Sequence, residues 1–384
     1  MTLEIDSTVD DWAAQTRHDG DAWSDLAAEW DDLYARSSRA TPFLTHAWLD
    51  SWWRAYGRPR SLVMVLVRHH GRLVGAGAFM QVRRGGVPVL VPAGYPVSDY
   101  ADVLLDDEVE QPAAAAFATE LARVAGRCAI DIPEVPRTAA LWSVVAAWPG
   151  RYWLRASSPC LEIAARSLPD LLPTLPTKTV RRVRYKQRAI EAAGVEVHWC
   201  RADEAPATIE AMLALHRVQW HGRPMTPEHA HPRFAQHLST AATTMIGRGQ
   251  AALAEYRLDG RVVGVDLVVV GHAMVGGYLY GIDPQLRSRV DVAQLLVTQN
   301  LELARRLGRP TLSFLRGDEP HKRVWRPAER PNERVLLGGS GLGWAGLYAS
   351  AVQARARSAA MVRRHAPALR RLAVRGRAWR PFST

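Results

Sequence analysis

Asp266 is the single acid within the apolar run Val262–Val270. A carboxylate there is either buried and functional or at a strand edge, because burying a charge is costly unless it is paired. Buried, it is a candidate base. Tyr278 and Tyr280 flank Leu279, so on a strand both are expected on one face, as site residues or as packing. Arg287, Ser288 and Arg289 form a basic turn that could hold phosphate through side chains, or simply be solvated. The segment Arg316-Gly317-Asp318-Glu319-Pro320-His321-Lys322 follows a strand-like run, a place where loops often carry chemistry. Lys322 there could hold a phosphate, or be an ordinary surface lysine. In the first half, Ser98-Asp99-Tyr100-Ala101-Asp102 follows a Pro/Gly loop. Its Asp99 and Asp102 could accept hydrogen bonds from a sugar or an amine, or make Asx turns. His216 and Trp220 share a helix face at i, i+4 and could orient a substrate. None of the 13 histidines shows a ligand pattern such as HExxH, so no metal is expected.

These residues need elements to hold them. In the second half the pattern predicts strands over Ala251–Arg257, Val262–Val270 and Met274–Gly281, a helix over Val292–Leu307 and a strand over Thr311–Leu315. The first half predicts the same order: strands Leu62–Val67, Leu73–Val82 and Val87–Val91, a helix over Glu110–Ala125, then strand Ala129–Ile132. Two short words recur in step with this. Gly71-Arg72-Leu73-Val74-Gly75 returns as Gly260-Arg261-Val262-Val263-Gly264, and Glu120-Leu121-Ala122-Arg123 as Glu302-Leu303-Ala304-Arg305. Such internal similarity points to one supersecondary unit used twice. A hairpin, a third strand and a strand–helix–strand crossover give a mixed, mostly antiparallel sheet flanked by helices, an α/β (α+β) class. The expected domains are a loose acidic leader over 1–20, one domain over 21–168, a second over 169–340 and a basic amphipathic helical tail over 341–384.

Net charge is +11 over 384 residues, unevenly spread. Residues 1–50 carry −8, residues 335–384 carry +9, and the section between carries +10. A positive middle favours anionic ligands. Lys178, Arg181, Arg182, Arg184, Lys186 and Arg188 crowd one segment that could hold a nucleotide diphosphate or a tRNA backbone, or be a solvated helix face. The tail could lie on an anionic membrane surface. Three isolated cysteines suggest a reducing compartment, and the acidic, non-apolar N-terminus suggests no secretory signal. The expected location is cytoplasmic, with peripheral attachment at the inner membrane face through the tail.

Several features in order resemble the GNAT acyltransferase superfamily, most closely its two-domain cellulose-biosynthesis (CelD-type) branch. They are Pro42-Phe43-Leu44 with Ala47-Trp48, the two glycine-bounded hairpins, Ser98–Asp102, Leu215-His216-Arg217 with Trp220, Tyr278–Pro284, and Phe314–Asp318 with His321, Lys322 and Trp325. The chain is also similar to Fem-type peptidyltransferases. The resemblance implies tandem GNAT-like domains and an N- or O-acyltransferase. The acyl group, expected to be acetyl, would come from acyl-CoA, with no metal, and pass to a polar, sugar-like metabolite or cell-envelope precursor. It implies Asp266, Tyr278 and Tyr280 as catalytic and Arg287, Ser288, Arg289 and Lys322 as donor-binding. Asp99, Tyr100, Asp102, His216, Trp220, Arg316 and Asp318 would be substrate-binding, with donor in the second copy and acceptor in the first. The donor loop departs from the family pattern, because Val290 and Val292 stand where glycine or a small residue is usual. That departure and the basic helix favour the alternative of an aminoacyl-tRNA-dependent, Fem-type transferase. A third reading is a catalytically empty GNAT-like scaffold bound to membrane.

Overall fold

The computed structural model describes residues 11–126, 128–222, 226–339 and 344–365. In chain order the strands are β1 Trp12–Arg17, β2 Leu62–His69, β3 Arg72–Arg84, β4 Val87–Pro92, β5 Leu104–Leu105, β6 Ala129–Val135, β7 Arg151–Ala156 and β8 Cys160–Ala164. There follow β9 Glu196–Trp199, β10 Ala251–Leu258, β11 Arg261–Val270, β12 Met274–Ile282, β13 Thr311–Arg316, β14 Ala328–Glu329 and β15 Glu333–Gly338. The helices are α1 Ala22–Asp25, α2 Ala27–Arg36, α3 His46–Tyr56, α4 Glu110–Ala125, α5 Leu141–Ala146, α6 Leu168–Leu171 and α7 Thr177–Ala192. The remainder are α8 Ala205–Gln219, α9 Pro232–Gly247, α10 Pro284–Arg289, α11 Val292–Arg306, α12 Pro320–Arg323 and α13 Trp344–His365.

The chain divides into two compact units. The first is built on a sheet of order β1-β2-β3-β4-β6-β15-β7, with β5 beside β3. The second is built on a sheet of order β14-β8-β13-β12-β11-β10-β9. Both are mostly antiparallel, and each holds one parallel pair, β4 with β6 and β12 with β13. Each parallel pair is joined through a long helix, α4 in the first unit and α11 in the second.

The recurring words have one structural meaning in both places. His70-Gly71 and Asp259-Gly260 form two-residue hairpin turns with both residues at positive φ, 48° and 75° in one, 50° and 74° in the other. That is the geometry whose twist matches paired strands. Each hairpin then carries a bulge at the same distance from its turn, between Val67 and Arg68 in β2 and between Tyr256 and Arg257 in β10. The extra residue on the partner strand is Val74 in one case and Val263 in the other. The Glu-Leu-Ala-Arg words fall near the ends of α4 and α11. In each the Arg bonds the Glu three residues before it, and a positive-φ glycine, Gly126 or Gly308, follows the helix.

Two boundaries differ from the sequence expectation. Residues 12–17 are not loose: they pair antiparallel with β2 as an edge strand. Nor does the division fall at residue 168. Strand β8 pairs with β13 in the second sheet, whereas β15, far downstream, pairs with β6 and β7 in the first. A buried charge network fixes β15 there. Arg334 donates to both Asp131 oxygens, at 2.6 and 2.5 Å, and Tyr348 of α13 donates to Oδ2 at 2.6 Å. No sequence-local signal marks such a distant exchange. Residues 341–343 and 366–384 of the expected tail lie outside the described residues. Among the described residues, no helix is long and apolar enough to cross a membrane.

In the second unit the sheet has helices on both faces. A Cβ on Gly281 would strike the Met212 carbonyl of α8 at 2.1 Å, so that side of β12 meets α8 backbone. The opposite side packs Tyr256, Ile282 and Tyr280 against Leu286, Val290, Val292, Leu295 and Leu296 of α10 and α11.

Candidate functional site

The parallel ladder of β12 and β13 is short. Only Met274, Val275 and Gly276 pair, with Thr311, Leu312 and Ser313. Past Gly276 the two strands no longer pair, and a cleft of about 90 Å³ lies there. It is at the carboxyl ends of the parallel pair, where ligands bind in open mixed sheets. Its walls include Asp266, Gly277 and Tyr280 from β11 and β12, Val297 and Asn300 from α11, Phe314 from β13, and His321 and Lys322 from α12.

Asp266 is the floor. It sits in the centre of β11, 2% exposed, and Asn300 Nδ2 donates to its Oδ2 at 3.0 Å. Burial pushes its pKa up to about 7, against the Asn300 hydrogen bond, which lowers it. Gly277 makes room for this contact, since a Cβ there would lie 3.1 Å from Asn300 Nδ2. Two neighbouring polar atoms, Asn300 Oδ1 and the Tyr256 hydroxyl, are buried without a hydrogen-bond partner.

The two tyrosines separate. Tyr280 is directly opposite Asp266 in the β11–β12 ladder, so both side chains face α11 and the cleft. Leu267 pairs with Leu279 and Val268 with Gly277, which leaves Tyr278 as the extra residue of a bulge. The bulge turns Tyr278 to the other face, where it influences Tyr56 and not the cleft. Strict alternation therefore fails at this one residue. Burial raises the Tyr280 pKa, with Arg287 and Gln219 opposing, so its phenol is protonated at neutral pH.

Two side chains of α8 bond the free edge of β12 beyond Gly276. His216 Nδ1 lies 2.8 Å from the Tyr280 carbonyl, and a carbonyl only accepts, so Nδ1 carries the proton. His216 Nε2 is then an acceptor for His229 Nδ1 at 3.2 Å. Burial lowers both pKa values, His229 to about 4, in keeping with two neutral rings. Gln219 Oε1 accepts the Ile282 N–H at 3.1 Å. Trp220 leans on His216, 6.0 Å between centroids. His216 thus orders the strand edge beside the cleft; His229 and Gln219 had no sequence signal beyond their types.

The residues expected to bind the donor do not form an open phosphate loop. Arg287 and Arg289 are exposed on the short helix α10, and Ser288 Oγ bonds back to the Gln285 carbonyl. Val290 and Val292 are buried in the core beneath α11. Asp291 caps α11, accepting the Gln294 N–H at 2.9 Å, and its other oxygen is paired with Lys186 of α7. Burial would raise the Asp291 pKa, but Lys186 and the Gln294 N–H hold it below the usual carboxylate range. A helix N-terminus attracts anions, and here the chain supplies its own. The residues present therefore do not fit a CoA pyrophosphate at this terminus.

Other expected contacts are internal to the fold. Lys322 is 9% exposed, donating to the Arg316 carbonyl at 2.9 Å and pairing with Glu319 at 2.7 Å. It closes its own loop at the cleft wall and is not an exposed phosphate hook. Asp318 is paired with Arg323 at the surface. In the first unit Asp102 is buried and accepts the N–H groups of Val103, Ala140 and Leu141, anchoring the start of α5. Burial raises its pKa to about 6, against those three bonds. Tyr100 packs edge-on against Phe43 in the core, and the Asp99 carbonyl accepts from Asn332. Tyr100 and Asp102 thus build the first unit. Among the described residues no three His, Cys, Asp or Glu side chains converge as a metal would need.

Residues 177–323, which contain this cleft, match the family model of the acetyltransferase (GNAT) domain. No curated protein matches the chain. Solved structures that share its fold include the following three. One is a conserved protein of unknown function from Bacteroides thetaiotaomicron, 13% identical with TM-score 0.55, covering 81% of this chain and 97% of that one. The second is FemX, 11% identical with TM-score 0.56, covering 84% and 96%. The third is the C-terminal domain of a protein described as a lysylphosphatidylglycerol synthetase from Agrobacterium fabrum, 12% identical with TM-score 0.51, covering 83% and 93%.

Proposed function

We propose that the second unit transfers an acyl group to an amine or hydroxyl acceptor in the cleft beyond the β12–β13 ladder. The observation that carries this reading is Asp266, a buried carboxyl with a pKa near 7 on the cleft floor. At that pKa it exchanges a proton at physiological pH, as a general base must. The acceptor's N–H or O–H proton passes to Asp266 as its lone pair attacks the acyl carbon. The bond from that carbon to the donor's heteroatom breaks, and the Tyr280 phenol supplies the proton that the departing atom needs. Tyr280 is restored by the proton that Asp266 releases. Asn300 keeps the carboxylate oriented, and His216 fixes the Tyr280 backbone. The acceptor proposed is a polar, sugar-like metabolite or cell-envelope precursor, and the two-domain CelD-type branch is the proposed kin.

The capped N-terminus of α11 favours a donor whose phosphates are held elsewhere. That same observation supports the second reading, an aminoacyl-tRNA-dependent transferase of the Fem type. Both are tested by offering the protein acetyl-CoA or aminoacyl-tRNA with a pooled set of amines and sugars and following acceptor mass. A mass gain of one acyl group that disappears in Asp266→Asn is expected. Absence of any gain with either donor overturns the proposal.

A further inference from the structure

The outward face of α7 carries a charge pattern that the cleft does not use. Val183 and Ile190 are buried on the helix's inner side. At 100° per residue, the opposite side presents Tyr185 at its centre, with Lys178, Arg181, Arg182, Arg184 and Arg188 around it. Tyr185 is 69% exposed, more than any other large hydrophobic side chain among the described residues. None of the five cations has an ion-pair partner among the described residues, whereas many of the chain's other arginines do. The acid on this helix, Glu191, lies at its end and accepts from Gln187. Lys186, the sixth cation, is used at Asp291.

From this we infer that the outer face of α7 is a binding surface for single-stranded RNA. Lys178 to Arg188 spans ten residues, about 15 Å of helix. Five cations along that length can neutralise roughly three to five phosphates of one strand. An exposed tyrosine ringed by cations suits a strand whose unpaired bases can stack while its backbone is neutralised. Free base faces of this kind belong chiefly to RNA loops, bulges and ends. A membrane surface fits less well, because Tyr185 is the only large apolar side chain on the outer face and its inner apolar side is already in the core. The surface stands whether or not the cleft transfers an acyl group.

The test uses the full-length protein and a fluorescent 12-nucleotide oligouridine, with anisotropy read between about 50 and 200 mM salt. Expected is binding whose logarithm falls with log salt at a slope of about −2 to −3.5, from three to five phosphates at ~0.7 each. Arg181→Glu with Arg188→Glu weakens it at least tenfold, and Tyr185→Ala at least fivefold. The milder Arg181→Gln with Arg188→Gln weakens it at least threefold, which guards against misfolding of the first pair. Arg305→Gln, on a cation already paired with Glu302, leaves binding unchanged. Equal binding by wild type and the α7 variants overturns the inference. So does a tenfold preference for oligothymidine DNA, or binding to anionic phosphatidylglycerol vesicles with none to RNA.

Discussion

Asp266 and Tyr280 are direct cross-strand partners, one on β11 and one on β12, with both side chains on the α11 face of the sheet. That pairing places a carboxyl of neutral pKa and a protonated phenol at the same cleft. Tyr278, two residues away in sequence, is excluded from it by one extra residue in the strand. Replacing each tyrosine by Phe therefore separates the roles. Tyr280→Phe is expected to lower kcat by about 10²-fold or more, in the range of a positioned proton donor. Tyr278→Phe is expected to change kcat less than threefold. Steady-state kinetics on both variants checks this.

The pH dependence follows from Asp266. The base form is the ionised one, so kcat/KM rises with pH and levels off above about 7. Stability runs the other way. The folded pKa lies above the unfolded value of 3.8, so the native state binds the proton more tightly. This contribution is complete below about pH 4 and is lost as pH rises to 7. Asp266→Asn removes the dependence. Its stability relative to wild type is expected to improve across that window, by up to roughly 4 kcal/mol at ~1.36 kcal/mol per pKa unit. Denaturant melts of both proteins between pH 4 and 8 measure it.

Asp102 tests the assignment in the first unit. It satisfies the N–H groups of Val103, Ala140 and Leu141 inside the core. Asp102→Ala orphans them and is expected to cost about 3 kcal/mol of stability or more, at ~1–3 kcal/mol for each buried unmade bond. KM for acceptor should stay within twofold in the protein that remains folded. A large KM increase without loss of stability would instead make Asp102 an acceptor ligand.

The cap on α11 gives a gain-of-binding prediction. Wild type is expected to bind CoA weakly through this terminus. Asp291→Asn keeps a capping side chain but removes the charge that occupies the anion site. Calorimetric titration should show CoA affinity rising at least fivefold in the variant. An unchanged or weakened affinity would mean that Asp291 does not guard the terminus.

The paired hairpins predict matching penalties. Gly71 and Gly260 occupy the same turn position, at φ 75° and 74°, with open space where a Cβ would go. Each Gly→Ala change should therefore cost only the left-handed backbone term, about 1–2 kcal/mol. Thermal melts of the two variants should agree with one another within roughly half a kcal/mol.

Much of this architecture was legible in the sequence, because its signals are local. Gly71 and Gly260 announced their turns, and the Glu-Leu-Ala-Arg words announced crossover helices of the right length. Asp266 stood out because an acid in an apolar run has few physical explanations. Several misreadings involve partners distant in sequence, while Lys322 and Asp318 are taken up by neighbours in their own loop. Asp102 read as an acceptor ligand because its true partners, Ala140 and Leu141, are nearly forty residues away. The capping role of Asp291 has no local signal, because its partner Lys186 lies about a hundred residues upstream. Tyr278 was misplaced because a bulge depends on register with β11, not on the alternation within β12. The exchange of β8 and β15 between sheets had no local mark at all.

That exchange has a consequence for how the protein is made. Strand β15 fills the position between β6 and β7, yet it leaves the ribosome some ~180 residues after β7. At roughly 5–20 residues per second, the first sheet waits about 10–40 s with two facing edges unpaired. Unpaired edges recruit other chains. The nascent protein therefore passes through a window in which those edges are open to other chains, and that window closes when β15 arrives and Arg334 reaches Asp131.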